Sequence, residues 1–202
     1  TRSDLVTGVQ TCALPIYSFV HMLADYFRQV GANVTVVRHI HAQDMLKKKG
    51  WDLLVLSPGP GRPEDFGIAK TIDTALEKKL PIFGVCLGVQ AIGEYFGGEL
   101  GQLAQPAHGR PSRVQVRGGR LMHNLPNEIV IGRYHSLYVE RDSVPEVLAV
   151  TATTEDGVAM VIEHKTLPVG GVQFHPESLM SLGNEVGLRI VENAFRLNPP
   201  AN

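Results

Sequence analysis

From residue 18 onward the spacing of apolar positions changes several times along the chain, and each change marks an element. Phe19, Met22, Leu23, Tyr26, Phe27 and Val30 fall on one helical face, with Ser18 placed to cap its start and Gly31 to end it. Asn33 to Val37 and Asp52 to Leu56 are short β-rich runs. The second is almost wholly apolar, as a parallel strand covered on both faces should be. Ile68 to Lys79 predicts a helix, Pro81 to Val85 a further buried strand, and Leu87 to Phe96 a helix stopped by Gly97 and Gly98. Strands and helices alternating this closely predict an α/β fold with a doubly wound, mostly parallel sheet and flanking helices. After Gly109 the texture shifts to short β segments (SRVQVR, EIVIGRY, VLAVTA, VAMVIEH, VGGVQF). They predict a small antiparallel portion in the C-terminal half, closed by a helix over Asn184 to Arg196.

Composition narrows the class. At 202 residues, with 44% hydrophobic and 19% charged positions, the chain fits one domain with a full core, and whole-chain disorder is excluded. Nineteen basic against twenty acidic side chains leave a net charge of -1, which argues for neither nucleic acid nor an anionic membrane as partner. The longest nearly unbroken apolar run, Leu80 to Val89, is about half of what a bilayer-spanning helix needs. Two cysteines, Cys12 and Cys86, cannot build a disulfide framework, and no signal segment opens the sequence. A cytoplasmic location is therefore expected.

The first sixteen residues stand apart. TRSDLVTGVQTCALPI has neither helical nor strand periodicity, and Val6 to Ile16 resembles the translation of a sequencing-adapter oligonucleotide. On that reading residues 1–16 are foreign and the domain proper covers 17–202. Tyr17 then stands where a single first-base change converts an Asp codon, and Cys12 drops out of the chemistry.

The chemistry gathers at three places. In GVCLGVQ, Gly84 to Gln90, a cysteine between glycines sits where a strand turns into a helix. This nucleophile elbow presents Cys86 at the C-terminal sheet edge, on a helix N-terminus that favours the thiolate. The HPE triplet places His175 and Glu177 two residues apart, able to share one side of an extended segment. His175 is then the general base and acid, and Glu177 holds its tautomer. SPGPG, Ser57 to Gly61, has prolines at 58 and 60, so its glycine donors are the N–H groups of Gly59 and Gly61. Such a stiff loop can offer an oxyanion donor beside the Leu87 N–H. The His39/His41 pair lacks the companions of a metal site and reads as a solvated loop, and Lys47 to Lys49 as a solvated helix end. His135 sits in a strand-like run and reads as site wall or structure.

In the order SPGPG, GVCLGVQ, HPE, and over roughly Ser18 to Leu197, the sequence resembles the class I glutamine amidotransferases, which have a flavodoxin-like fold and a Cys, His, Glu triad. Within that family YSFVHMLADYF, AHGRPSRV, GRYHSLYV and GVQFHPESLMSLG are most similar to the amidotransferase component of anthranilate synthase, particularly the fused type. The resemblance implies that Cys86, His175 and Glu177 release ammonia from L-glutamine through a thioester. It places Gly59 and Leu87 at the oxyanion hole and makes Gly59, Pro60, Gly61, Gln90, Ser136 and Leu137 the glutamine-binding positions. It implies no cofactor and no metal, and a chorismate-converting anthranilate synthase component as partner, either separate or fused upstream. Relatives begin with an apolar strand running into an Asp-Ser-Phe turn, so the sheet here is expected to lack its first strand. The same chemistry could serve an aminodeoxychorismate or phenazine-precursor synthase. A non-catalytic regulatory module, or a γ-glutamyl hydrolase or cysteine peptidase, would be different readings of the same elbow.

Overall fold

A computed structural model of the chain describes residues 4–8, 17–48, 50–178 and 185–197. In chain order the elements are β1 (Asp4–Gly8), α1 (Tyr17–Gln29), β2 (Asn33–Val37), α2 (His39–Lys47), β3 (Leu53–Leu56), α3 (Ile68–Glu77), β4 (Ile82–Val85) and α4 (Leu87–Tyr95). There follow β5 (Leu100–Val116), β6 (Glu128–Val139), β7 (Leu148–Thr154), β8 (Ala159–His164), β9 (Val169–Val172) and α5 (Val186–Phe195), with short 3-10 turns at Pro63–Phe66 and Arg141–Ser143.

The strands form one sheet in the order β2-β1-β3-β4-β9-β8-β7-β5-β6. The first five are parallel, and pairing becomes antiparallel from β9 to β8 onward. Alternation along the parallel strands assigns the two faces. Leu53, Val55, Phe83 and Val85 join one buried cluster with Leu23 and Phe27 of α1 and Val186, Ile190 and Val191 of α5. Leu54, Leu56 and Ile82 join the other, with Leu46 of α2, Ile72 of α3 and Leu87 and Ile92 of α4. Helices therefore cover both faces, which is the doubly wound arrangement expected from the sequence. Burying each large side chain fully contributes about 1.5–3 kcal/mol. Phe27 meets Phe83 edge-on with ring centroids 6.2 Å apart, tying α1 to the central sheet.

Several expectations are corrected. Asp4–Gly8 forms a strand, pairing with β2 through Asp4↔Asn33 to Gly8↔Val37 and with β3 through Leu5↔Leu53 to Gly8↔Leu56. The first-strand position between β2 and β3 is thus filled. Five residues carry too few alternations for a period to show, and backbone pairing along both edges specifies the strand instead. Helix α1 begins at Tyr17, so Ser18 lies inside it and is not its cap. Gly31 does end it, with φ of 93° and the Ala32 N–H donating to the Phe27 carbonyl. His39 and His41 lie in α2, not in a loop. The antiparallel region starts at Leu100, earlier than the sequence suggested, and continues the main sheet. Cys12 and Lys49 fall outside the described residues.

The junction of β4 and α4 depends on close backbone approach. A Cβ on Gly88 would collide with the Leu56 carbonyl oxygen of β3, and one on Gly84 with the Gly88 backbone. A Cβ on Gly171 of β9 would collide with the Gly84 carbonyl oxygen. The first turn of α4 consequently sits directly against three neighbouring strands. Replacing Gly88 with Ala is expected to destabilise the fold by about 1–3 kcal/mol, because the clash is with backbone that cannot rotate away. Urea unfolding of the Gly88→Ala chain at its unchanged m-value checks this, and an unaltered midpoint would refute it.

Candidate active site

Three adjacent parallel strands, β3, β4 and β9, end together, with Leu56 in register with Gly84 and Gly84 with Gly171. The SPGPG loop leaves β3, Cys86 leaves β4, and the segment leading to His175 leaves β9. Open α/β sheets bind ligands at this edge, where the strands run out and their loops converge.

Cys86 occupies a backbone position that side chains rarely adopt, φ 53° and ψ -105°. Such a conformation costs about 1–3 kcal/mol and persists only when its surroundings impose it. Here the Cys86 N–H donates to the Val172 carbonyl of β9 at 2.8 Å and the Gln90 N–H to the Cys86 carbonyl at 3.1 Å. The neighbouring strand β9 and the helix after both hold the turn. The side chain is 7% exposed and belongs to the cluster between the sheet and helices α1 and α5. Leu87 begins α4, and the first N–H groups of a helix have no partner within it.

The other two residues singled out from sequence follow the cysteine in a line of two hydrogen bonds. His175 is hydrogen-bonded to the Cys86 side chain. Its Nδ1 lies 2.9 Å from Glu177 Oε1, with the side chains 5% and 0% exposed. The carboxylate can only accept when ionised, so the Nδ1 carries the proton and Nε2 is left for the sulfur. Burial works against a charged imidazole, but the Glu177 charge and the hydrogen bonds to Cys86 and Glu177 outweigh it and raise the His175 pKa well above its ordinary value. Tyr134 of β6 packs its ring edge-on to His175 at 5.6 Å. The arrangement can hold an imidazolium beside a thiolate and return the proton to a leaving group.

The structure also brings together Gln90 and Leu137, whose carbonyl accepts from Gln90 Nε2 at 2.9 Å. Ser136 lies next to it on β6, opposite a bulge where Leu103 to Pro106 of β5 intervene between the pairs Gln102↔Leu137 and Ala107↔His135. Gly59 and Pro60 are half-buried on the loop after β3. Gly61 is exposed, with φ of 79°, and turns toward Asp65, whose Oδ2 accepts from the Arg62 N–H at 2.8 Å. It therefore stands further out than Gly59.

Gln173 gains a place in the site that the sequence reading did not give it, and His135, read as site wall or structure, gains definite partners. Gln173, 1% exposed, points its amide nitrogen at the Cys86 sulfur at 3.6 Å and accepts from Gln90 Nε2 at 3.2 Å. Its signal was a polar residue inside the otherwise apolar run VGGVQF, since a buried amide must have partners. His135, 4% exposed, bonds to the Leu137 carbonyl through Nδ1 at 2.9 Å and accepts from Arg133 Nε at 3.2 Å. Burial and the Arg133 charge push its pKa down to about 4, so it stays neutral beside the charged His175. No group of three or more potential metal ligands occurs among the described residues.

The depressed pKa of His135 makes stability depend on pH. The unfolded chain takes up a proton at His135 near pH 6.5 and the folded one only near pH 4, so this residue stabilises the fold above the first value and that stability is lost as pH falls toward the second. The His135→Gln variant is expected to lose less stability than the parent between those two pH values. Urea unfolding at each measures it, and equal losses would refute it.

Comparisons with known proteins give the family and the fold. The family described as glutamine amidotransferase class-I matches residues 14–195. A protein named anthranilate synthase from Azospirillum brasilense is 54% identical over 178 residues, covering 88% of this chain, and the chain spans about a quarter of that protein's length (24%). An anthranilate synthase component 2 from the same organism is 42% identical and is covered over 89% of its length by 87% of this chain. Among solved structures, a glutamine amidotransferase from Thermotoga maritima superposes with a TM-score of 0.71 at 15% identity, covering 97% of this chain and 97% of its own, a likeness of fold. The match of family to nearly the whole chain, on a sheet whose strand ends gather a cysteine, a histidine and a glutamate, makes this chain a member of the class I glutamine amidotransferase family.

Proposed function

We propose that the chain hydrolyses L-glutamine to glutamate and ammonia on Cys86 and delivers the ammonia to a chorismate-converting synthase component that makes anthranilate. The observation that carries the chemistry is the buried Cys86, His175 and Glu177 contact line at a strained elbow. The names of the relatives support the choice of acceptor.

His175 Nε2 takes the proton of the Cys86 thiol as the sulfur is activated. The sulfur attacks the side-chain amide carbon of glutamine, an S–C bond forms, and the π electron pair moves to oxygen. The N–H groups of Gly59 and Leu87 donate to that oxyanion, a contribution of about 3–4 kcal/mol per donor in comparable sites. Collapse breaks the C–N bond as His175 gives its proton to the departing nitrogen, and ammonia leaves. Water then attacks the thioester while His175 takes its proton. The C–S bond breaks, the thiolate and imidazolium are restored, and the new carboxyl loses its proton to solvent. Glu177 holds the ring in the tautomer that serves both transfers. Gln90 and Ser136, with the backbone at Leu137 and at Gly59 to Gly61, bind the backbone groups of glutamine.

No helix among the described residues is long and apolar enough to cross a membrane. Burial of Cys86 limits the access of bulk water to the thioester, and direct passage to the partner's acceptor would keep ammonia unprotonated until use.

In the chain assembled with its chorismate-converting synthase component, Cys86→Ser is expected to reduce glutamine-dependent anthranilate formation by about a thousandfold or more, while ammonium salts still support the reaction. Product formation with each nitrogen source is the measurement. Retained glutamine-dependent activity would overturn the nucleophile, and a product other than anthranilate would overturn the acceptor.

A further inference from the structure

The polar groups behind the nucleophile form a single directed line. Arg133 cannot accept a hydrogen bond, so its Nε–H fixes His135 Nε2 as the acceptor at 3.2 Å, while its Nη1 is held by Asp156 Oδ2 at 2.9 Å. The remaining His135 nitrogen, Nδ1, must then carry the proton, and it donates to the Leu137 carbonyl at 2.9 Å. A carbonyl only accepts, so the group that Gln90 places 2.9 Å from the same oxygen is its NH2. The second hydrogen of that NH2 goes to Gln173 Oε1 at 3.2 Å. The oxygen side of the Gln173 amide is thereby occupied, and its nitrogen faces Cys86 Sγ at 3.6 Å. Turning the Gln173 amide over would set two NH2 groups against each other and a carbonyl oxygen against the sulfur, two unfavourable contacts in place of two favourable ones. Gln173 is further fixed by its own backbone N–H, which donates to the Met160 carbonyl at 2.8 Å.

We propose that Gln173 is a second, neutral donor to the Cys86 sulfur, a positioning residue that holds the thiolate independently of His175, with its amide oriented by Gln90 and the Leu137 carbonyl. This deepens the glutaminase reading and rests on it for its purpose, though the hydrogen bond itself does not. A sulfur held by an imidazolium alone loses its partner each time His175 gives its proton to the leaving nitrogen. An amide donor keeps one partner on the sulfur through the whole cycle and favours its departure as thiolate when the thioester is hydrolysed. Because Gln90 joins the same amide to the candidate glutamine site, anything that repositions Gln90 also changes the donor on the sulfur.

The test is alkylation of Cys86 by iodoacetamide in the purified full chain with no glutamine present, so that it reads the sulfur whether or not the chain is a glutaminase. Gln173→Met keeps the bulk and removes the donor, and Gln173→Glu keeps the shape and replaces the donor with an acceptor. At about pH 7 both variants are expected to alkylate roughly tenfold more slowly than the parent, the loss of one hydrogen bond to a charged group. Near pH 10 all three rates are expected to converge, since excess base then supplies the thiolate. Equal rates at neutral pH overturn the proposal. A deficit that persists undiminished at high pH shows blocked access and overturns it as well. If the Met variant does not fold, the Glu variant carries the same two readings.

Discussion

The backbone of Cys86 is pinned where a side chain does not ordinarily go, and the remaining features of the site depend on that. The turn requires β4 to pass into α4 without a loop, which brings the first helical turn against the Leu56 carbonyl of β3 and sets Val89 against Gly171 of β9. Only hydrogen at Gly84, Gly88 and Gly171 permits that distance. Once the helix is seated, the Cys86 N–H reaches Val172, which ties Cys86 to the strand that leads, three residues later, to His175. The strain of the turn is offset by the packing of α4 into two buried clusters.

Electrostatics then separate two buried histidines, His135 on β6 and His175 just beyond β9. His175 faces a carboxylate and a thiol and is held toward its charged form. His135 faces a guanidinium and is held neutral. Each state suits its place. A cation at His175 can give a proton, whereas a neutral ring at His135 can donate to one carbonyl and accept from an arginine without adding a second positive charge beside the first. Environments that drive like residues apart in pKa are how one small site assigns acid, base and scaffold.

Most of the layered architecture was legible in the chain because buried parallel strands and amphipathic helices leave strong local patterns. Leu53 to Leu56, Ile82 to Val85 and the face of α1 were readable for that reason. Helix α2 was not, since HIHAQDMLK carries a thin apolar stripe and leaves Ile40 exposed, and its position comes from packing Leu46 under the sheet. Asp4–Gly8 was not legible either, because its strand state comes from the edges of β2 and β3. At the site, the triad residue types and the elbow could be named from spacing. Gln173 could not, because the meaning of a lone amide depends on what stands across from it.

The sequence by itself determined the alternation of elements, the glycine-flanked cysteine at a strand end, and the histidine and glutamate two residues apart, all of which are local consequences of side-chain size, period and backbone freedom. Tertiary structure decided which strands are neighbours, and with that which loops meet. Placing β9 beside β4 sets residues 86 and 175 in hydrogen-bond contact, and packing β6 against α4 brings Leu137 and Gln90 together. Those contacts join positions 47 to 89 residues apart in sequence, a separation over which no periodicity carries information, and only the pairing of backbone edges could select them.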